Sequence, residues 1–511
     1  MSLDTPTHAP PYTALLDSLR AIVGASHVLT EGDLSAWEQD WRKRERGRAL
    51  AVVRPASTAE VAAVVKACAA AGVSMVAQGG NTGMVVGSTP DASGTQIVLS
   101  LQRMNAVRSV DAANLTVTVE AGCVLQALQQ VCEQSGLLFP LSMASEGSCT
   151  IGGNLGTNAG GTQVLRYGNT RELCLGLEVV TPQGEVWDGL SGLRKDNTGY
   201  DLRHLMIGSE GTLGVITAAT LKLYPLPVAQ LTAFAAVPDL DAAVALLGLA
   251  HQHLSAGLTG FEVMGQFALS LVRKHFPALQ VPFADAGATA AAPGRPKQGT
   301  APSGGSEPHE VGSVGAPYFV VLEASDHESE AHAREQLERL LETAMEQGCV
   351  SDAVVAESIA QAHALWHIRE SIPLAQAQEG LNIKHDISIA VSKIPEFVRQ
   401  TDALLAQQFP GMRLVNYGHL GDGNLHYNVQ APEGADAEAF LKTQESAVNT
   451  VVYDMVDQFR GSISAEHGIG SLKREKLLQH KSPVALDMMR AIKLALDPQG
   501  LMNPGRVLLI K

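Results

Sequence analysis

At 511 residues the chain is several times the usual ~100–200 residue domain, so it must fold around more than one core. Hydrophobic residues make up 45% and charged residues 17%, which excludes a disordered chain; a net charge of −15 argues against nucleic acid and anionic lipid as partners. The six cysteines, Cys68, Cys123, Cys132, Cys149, Cys174 and Cys349, form no C-x-x-C pair, which speaks against an iron–sulfur cluster or a zinc ribbon and for reduced, buried thiols.

The first residues lack a basic start ahead of an apolar run, and no stretch reaches the ~20 apolar residues that a membrane helix needs. A cytoplasmic chain with no transmembrane segment is expected. Residues 1–47 read as an N-terminal helical segment. From 51 to 135 strand and helix patterns alternate: AVVRP, a helical stripe from Thr58 to Ala71 opened by the Ser57/Glu60 capping pair, then VSMVAQGG, IVLSL and LTVTVEAG. Between Pro140 and Gly214 glycine and small polar residues separate short apolar runs, a loop-rich texture wrapped around something. After Pro227, FAAVPDLDAAVALLGLAHQHL and YFVVLEASDHESEAHAREQLERLLETAMEQG each join a strand to a helix, predicting one antiparallel sheet covered by helices. The Gly/Ala/Pro/Ser tract between them, 284–316, cannot bury a core and reads as a disordered surface insertion.

Three segments offer unusual amounts of backbone. VAQGGNTGMVVG at 76–87 follows an apolar strand and packs glycine where successive N–H groups can turn toward an anion such as a diphosphate; a plain tight turn explains it equally well. It lacks both G-x-G-x-x-G and the Walker A lysine, so neither a Rossmann nor a P-loop site is supported. LSMASEGSCTIGGNLGTNAGG at 141–161 and NTGYDLRHLMIGSEGTLGVIT at 197–217 repeat the theme, and three such loops in one domain imply an extended ligand.

In NYGHLGDGNLHYN at 416–428, a two-residue Asp422-Gly423 turn would pair His419 with His426 directly across a hairpin, Cβ atoms roughly 5 Å apart. Two imidazoles at that spacing can share a divalent metal, although ordinary polar residues also flank turns. SAEHG at 464–468 adds a carboxylate and a third imidazole, which makes a two-His, one-carboxylate site a candidate.

The run from Val53 to Pro227 resembles the FAD-binding domain of the vanillyl-alcohol oxidase and p-cresol methylhydroxylase superfamily, and the whole chain is similar to its D-2-hydroxyacid dehydrogenase branch. The fold class so implied is α+β: a two-subdomain FAD-binding domain of the vanillyl-alcohol oxidase type at 48–227, a substrate domain with a helix-covered antiparallel sheet at 228–465, and a segment at 466–511 returning to the FAD site. By that resemblance Gly79, Gly80, Asn81, Thr82 and Gly83 hold the FAD diphosphate. Ser145, Thr150, Gly153, Asn154, Asn158, Gly160, Gly161 and Ile216 line the flavin and ribityl path, and Asn503 returns to the cofactor. Asn81 stands where several relatives carry a flavin-linking histidine, so noncovalent FAD is expected.

The resemblance further assigns His419, His426 and Glu466 to a divalent metal, zinc foremost, and His467 to proton transfer. Arg369 in WHIRE and Lys384 in KHD would hold substrate carboxylates, with Asn428 as a further contact; taken alone, Arg369 would more commonly be a solvated helix residue. The implied reaction takes a D-2-hydroxy acid to the 2-oxo acid. D-2-hydroxyglutarate to 2-oxoglutarate is favoured because two cations outnumber one metal-bound carboxylate, while D-lactate or glycolate is the alternative. Pro373, one turn beyond Arg369, replaces a hydroxyl-bearing residue of some D-2-hydroxyglutarate enzymes and weighs the other way. A zinc hydrolase and a noncatalytic flavin protein are the competing classes. The electron acceptor would be external, an electron-transfer flavoprotein, a quinone or a cytochrome, and a homodimer stays open beside a monomer.

Overall fold

The computed structural model describes residues 10–283 and 318–510, so the expected 284–316 insertion lies outside the described residues. Two compact units divide the chain: residues 1–226 with 466–511, and residues 227–465.

The first unit holds two main sheets. In one, Ala49–Val53 and Met75–Gln78 both pair in parallel with Gln96–Ser100, and Val28–Leu29 adds an antiparallel edge. Strands buried on both faces read as unbroken apolar runs, and ALAVV and QIVLS are buried throughout. The helix Thr58–Ala71 begins where Ser57 Oγ accepts the Glu60 N–H and ends at Gly72, whose φ of 66° suits a residue without Cβ. Its Val61, Val64, Val65 and Cys68 join Ile97 and Leu99 in one core. The other sheet is antiparallel, in the order Val107–Asp111, Thr116–Glu120, Val215–Lys222, Cys174–Val180, Val186–Gly189.

The last residues are built into this unit. Asn503 N–H donates to Met75 O, and Lys493, on the helix Pro483–Leu496, donates to Thr212 O at 2.6 Å and Met502 O at 2.9 Å while pairing with Asp497.

The second unit is the expected antiparallel sheet with helices. Its order is Asp352–Val355, Ala229–Val237, Tyr318–Asp326, Leu258–Gly265, Arg413–His419, Asn424–Gln430, Asn382–Ile383, and Asp386–Ser388 also pairs with Asn424–Gln430. The two strand–helix joins fall where the sequence puts them, with helices Leu240–Leu254 and Glu330–Glu346 following their strands. Among the described residues no helix is long and apolar enough to cross a membrane.

Two local expectations need correction. The hairpin at 419–424 does not close through a two-residue turn: a short 3-10 segment, Leu420–Asp422, precedes Gly423 at φ 85°. Register therefore places Tyr417, not His419, opposite His426. Pro373 is not one turn further along the helix of Arg369. That helix, Ile359–Glu370, ends at Ser371, and Pro373 sits in the first turn of a new one, Ile372–Glu379, where its missing N–H costs nothing.

Candidate active site

Both sites grow from places where the sequence breaks its own pattern. In the first unit the strand Met75–Gln78 runs into glycine, and residues 79–83 with 150, 152–154, 209–211 and 214–216 line a cleft of about 960 Å³, part of it open to solvent. Gly79, Gly80, Asn81, Thr82, Gly83, Thr150, Gly153, Asn154 and Ile216 all face this cleft, and so does His467. Close backbone approach explains the glycines. A Cβ on Gly79 would sit 2.2 Å from Thr150 Oγ1, and one on Gly80 2.1 Å from Ser148 O.

Other residues expected here serve the wall rather than face the cleft. Asn503 Nδ2 donates to Gly87 O at 2.9 Å and to Glu210 O at 2.7 Å, fastening two lining segments. Asn158 caps a short helix at φ 54° and accepts the Arg171 N–H. Ser145 O receives the Ser148 and Cys149 N–H groups. A Cβ on Gly161 would meet Ser142 O at 1.9 Å, and one on Gly160 would lie 2.7 Å from Glu466 Oε1. Asn81, at φ 54°, donates through Nδ2 to Ala36 O and Gln39 O, tying the loop to the N-terminal segment. The cradle suits a long polar ligand: Thr150 Oγ1, Gln78 Oε1 and Asn503 Oδ1 are buried without a hydrogen-bond partner.

Glu210 carried no role in the sequence reading, yet it holds the loop beside His467. Its two carboxylate oxygens each receive an N–H at 2.7 Å, from Ile469 and Gly470. Burial raises its carboxyl above the ordinary value despite those bonds. The only signal was an acid set among glycines in GSEGTLG.

In the second unit one face of the sheet gathers charge. Glu262 and His419 are register partners on neighbouring strands, and His419 Nδ1 lies 2.6 Å from Glu262 Oε1. Arg369 reaches in from its helix to place Nε 2.8 Å from Glu262 Oε2, its guanidinium 4.7 Å from the centre of the Tyr417 ring. Arg369 is 6% exposed, against the solvated helix position its type alone suggests. Burial works to raise the Glu262 carboxyl, but His419 and Arg369 beside it hold it below the usual range. An ionised carboxylate can only accept, so His419 Nδ1 donates to it and the opposite ring nitrogen, Nε2, faces away from Glu262. The His426 ring stands 5.4 Å from that of His419, centre to centre, as a diagonal neighbour across the hairpin. Two imidazoles so close, one oriented through its other nitrogen by a carboxylate, form a donor set that fits a divalent cation. The backbone N–H of Ala465 donates to Asp386 O at 3.3 Å, and Glu466 and His467 follow directly in sequence.

Asn428 does not present an uncommitted amide: Nδ2 donates to Gln376 Oε1 at 3.0 Å and Oδ1 accepts the His385 N–H at 3.1 Å. Lys384 lies between the strands Asn382–Ile383 and Asp386–Ser388. Glu262 went unread in sequence. Its signal was a lone acid in the apolar run LTGFEVMG.

Comparison with known proteins gives these features a family. The "FAD binding domain" family matches residues 49–189, and "FAD linked oxidases, C-terminal domain" matches 226–507. Among solved structures, p-cresol methylhydroxylase aligns with 98% of this chain and 97% of its own at a TM-score of 0.73 and 16% identity. The 4-ethylphenol oxidase of Gulosibacter chungangensis covers 99% of both chains at 0.69 and 15%. At that identity the likeness is one of fold. The chain belongs to the FAD-linked oxidases, in the D-2-hydroxyglutarate dehydrogenase family. It is 39% identical to the D-2-hydroxyglutarate dehydrogenase of Xanthomonas citri over 96% of both chains. It is 36% identical to that of Stutzerimonas stutzeri, over 97% of this chain and 98% of the relative, and to the mitochondrial enzyme of Bos taurus, over 96% and 83%.

Proposed function

We propose that this protein oxidises D-2-hydroxyglutarate to 2-oxoglutarate with noncovalently held FAD and a divalent cation, zinc foremost. The substrate assignment is supported by full-length relatives carrying that name. Residues 79–83 with 150–154 would cradle FAD, which when bound supplies the acceptor for the substrate's α-hydride. His419, His426 and Glu466 would hold the cation, which supplies a Lewis acid toward the substrate hydroxyl.

The chain's own residues do the rest. His467 takes the hydroxyl proton on a ring nitrogen; its place on the wall of the flavin cleft is the single observation that carries the reading. Arg369, fixed through Nε, turns its planar Nη edge to a carboxylate, and Lys384 balances a second one. Holding both ends of a diacid fixes which face of the α-carbon meets the flavin, and so selects D over L. Asn81 supports noncovalent attachment, since an amide tied to Ala36 and Gln39 offers no imidazole for a flavin bond. An external electron acceptor is supported by the cysteines, which are unpaired and buried, with Cys68, Cys132 and Cys174 pushed up to about 12 by burial. Anaerobic addition of D-2-hydroxyglutarate should bleach the flavin's visible absorbance faster than D-lactate does. A protein that carries FAD and is bleached by neither acid would end this reading.

A further inference from the structure

We propose that Glu262 is a positioning residue that locks a metal-ligating imidazole and the substrate-binding guanidinium into one rigid unit. The inference rests on the roles proposed above for His419 and Arg369.

The geometry is that of a double clamp. One carboxylate oxygen takes the Nδ1–H of His419 and the other takes the Nε–H of Arg369, at 2.6 and 2.8 Å. The Glu262 side chain is fully buried, and those of His419 and Arg369 are 9% and 8% exposed. Three features set the alignment. The strands Leu258–Gly265 and Arg413–His419 put Glu262 directly across from His419. The Tyr417 ring, two residues along the same strand, supports the guanidinium from its face. Arg369 makes no hydrogen bond to another described residue through its Nη atoms, so the carboxylate-binding edge stays presented.

Stability alone does not account for this arrangement. Desolvating a carboxylate and a guanidinium offsets most of their attraction, and an apolar side chain in LTGFEVMG would pack at least as well. What the pair supplies is orientation. Nδ1 is committed to Glu262, so Nε2 is the nitrogen His419 turns to a cation, and the imidazole cannot rotate without breaking a bond to the group that also holds Arg369. A cation and a substrate carboxylate are thereby referred to a single carboxylate.

Glu262→Gln tests this with little change of volume. A glutamine has one acceptor oxygen where two donors point, so either His419 or Arg369 is released. With FAD-loaded, metal-stripped protein, competition against a chromophoric chelator should show zinc held about 10- to 100-fold more weakly than in the wild type, the usual loss for a partner of a metal ligand. FAD content should be unchanged, and with zinc saturating, KM for D-2-hydroxyglutarate should rise more than kcat falls. Glu262→Asp, which keeps two acceptors but packs worse, should hold zinc better than Glu262→Gln. The reverse order, or a Gln variant binding zinc as the wild type does, overturns the proposal. His419→Ala separates the two layers: if it too keeps wild-type zinc affinity, the metal assignment has failed rather than the clamp. Should Glu262→Gln not fold, nitrogen-15 spectra of the zinc-loaded wild type decide. The imidazole missing from His419→Ala should carry its proton on Nδ1, and an Nε2–H form would overturn the inference.

Discussion

The flavin cradle and the charged sheet face, in the roles proposed for them, solve the same problem of holding a polar ligand with opposite materials. In the first unit the backbone does the work: glycines bring main-chain groups within van der Waals reach of one another, and side chains such as Asn81, Asn158 and Asn503 are spent on fastening loops. In the second, side chains do it, through ionised and amide groups buried on one sheet face. A backbone cradle tolerates little addition of volume; a side-chain site is sensitive to the loss of a single proton or charge. The difference predicts distinct failures.

The largest should come from Gly80→Ala. Its new Cβ would lie 2.1 Å from the Ser148 carbonyl oxygen, a backbone atom that cannot swing aside. The purified variant should be colourless, with FAD content below about a tenth of wild type on the scale of a ~1–3 kcal/mol overpacking cost. Full FAD occupancy would show that the cradle is looser than its contacts imply.

Chelation should do the reverse, abolishing turnover while leaving the flavin spectrum largely intact, because two of the three proposed ligands, His419 and His426, belong to the second unit and the cradle to the first. Activity in protein shown by elemental analysis to be metal-free would break the contrast. His467→Asn should slow flavin reduction by about 10²-fold or more, the usual share of a general base, with a smaller change in substrate affinity. Reduction at the wild-type rate would move the base elsewhere.

Lys384→Met sharpens the side-chain half. It should shrink the kcat/KM preference for D-2-hydroxyglutarate over D-lactate by roughly 10²-fold, since losing one partner of a buried pair costs ~3 kcal/mol. An unchanged ranking would leave the second carboxylate without its counter-charge. The smallest effect belongs to the opposite sheet face, where Asp402 accepts from Tyr427 Oη and burial raises its carboxyl to about 6. A carboxyl raised above its unfolded value contributes stability that is lost as pH climbs between about 4 and 6. Asp402→Asn should therefore flatten that part of the melting profile, and an unaltered slope would place the titration on another group.

These contrasts also explain what the sequence disclosed. The cradle was legible because a backbone site demands glycine, and glycine in GGNTG and TIGGNLG stands out in any composition. The strand–helix repeats after Pro227 were legible through their periodicity. The hairpin register was not: Asp-Gly suggests a two-residue turn, and only the 3-10 segment before Gly423 shifts Tyr417 opposite His426. Glu262 escaped for a related reason, and Arg369 was reached only through the family resemblance. Each is ordinary or anomalous only with respect to a partner more than a hundred residues away, and no local pattern carries that information.

One consequence concerns the order of synthesis. Asn503 ties Gly87 to Glu210, Lys493 holds Thr212, and Met502 bridges to Met75, so the wall of the flavin cleft is assembled from segments nearly three hundred or more residues apart in sequence. Residues 227–465 are made in between, which at ribosomal speeds is on the order of tens of seconds. During that interval the glycine loops have left the ribosome without the strap that secures them. Flavin capture thus becomes a late event, waiting on residues 493–503, and a chain interrupted shortly before Asn503 has made the strands of all its sheets and still lacks a finished place for its cofactor.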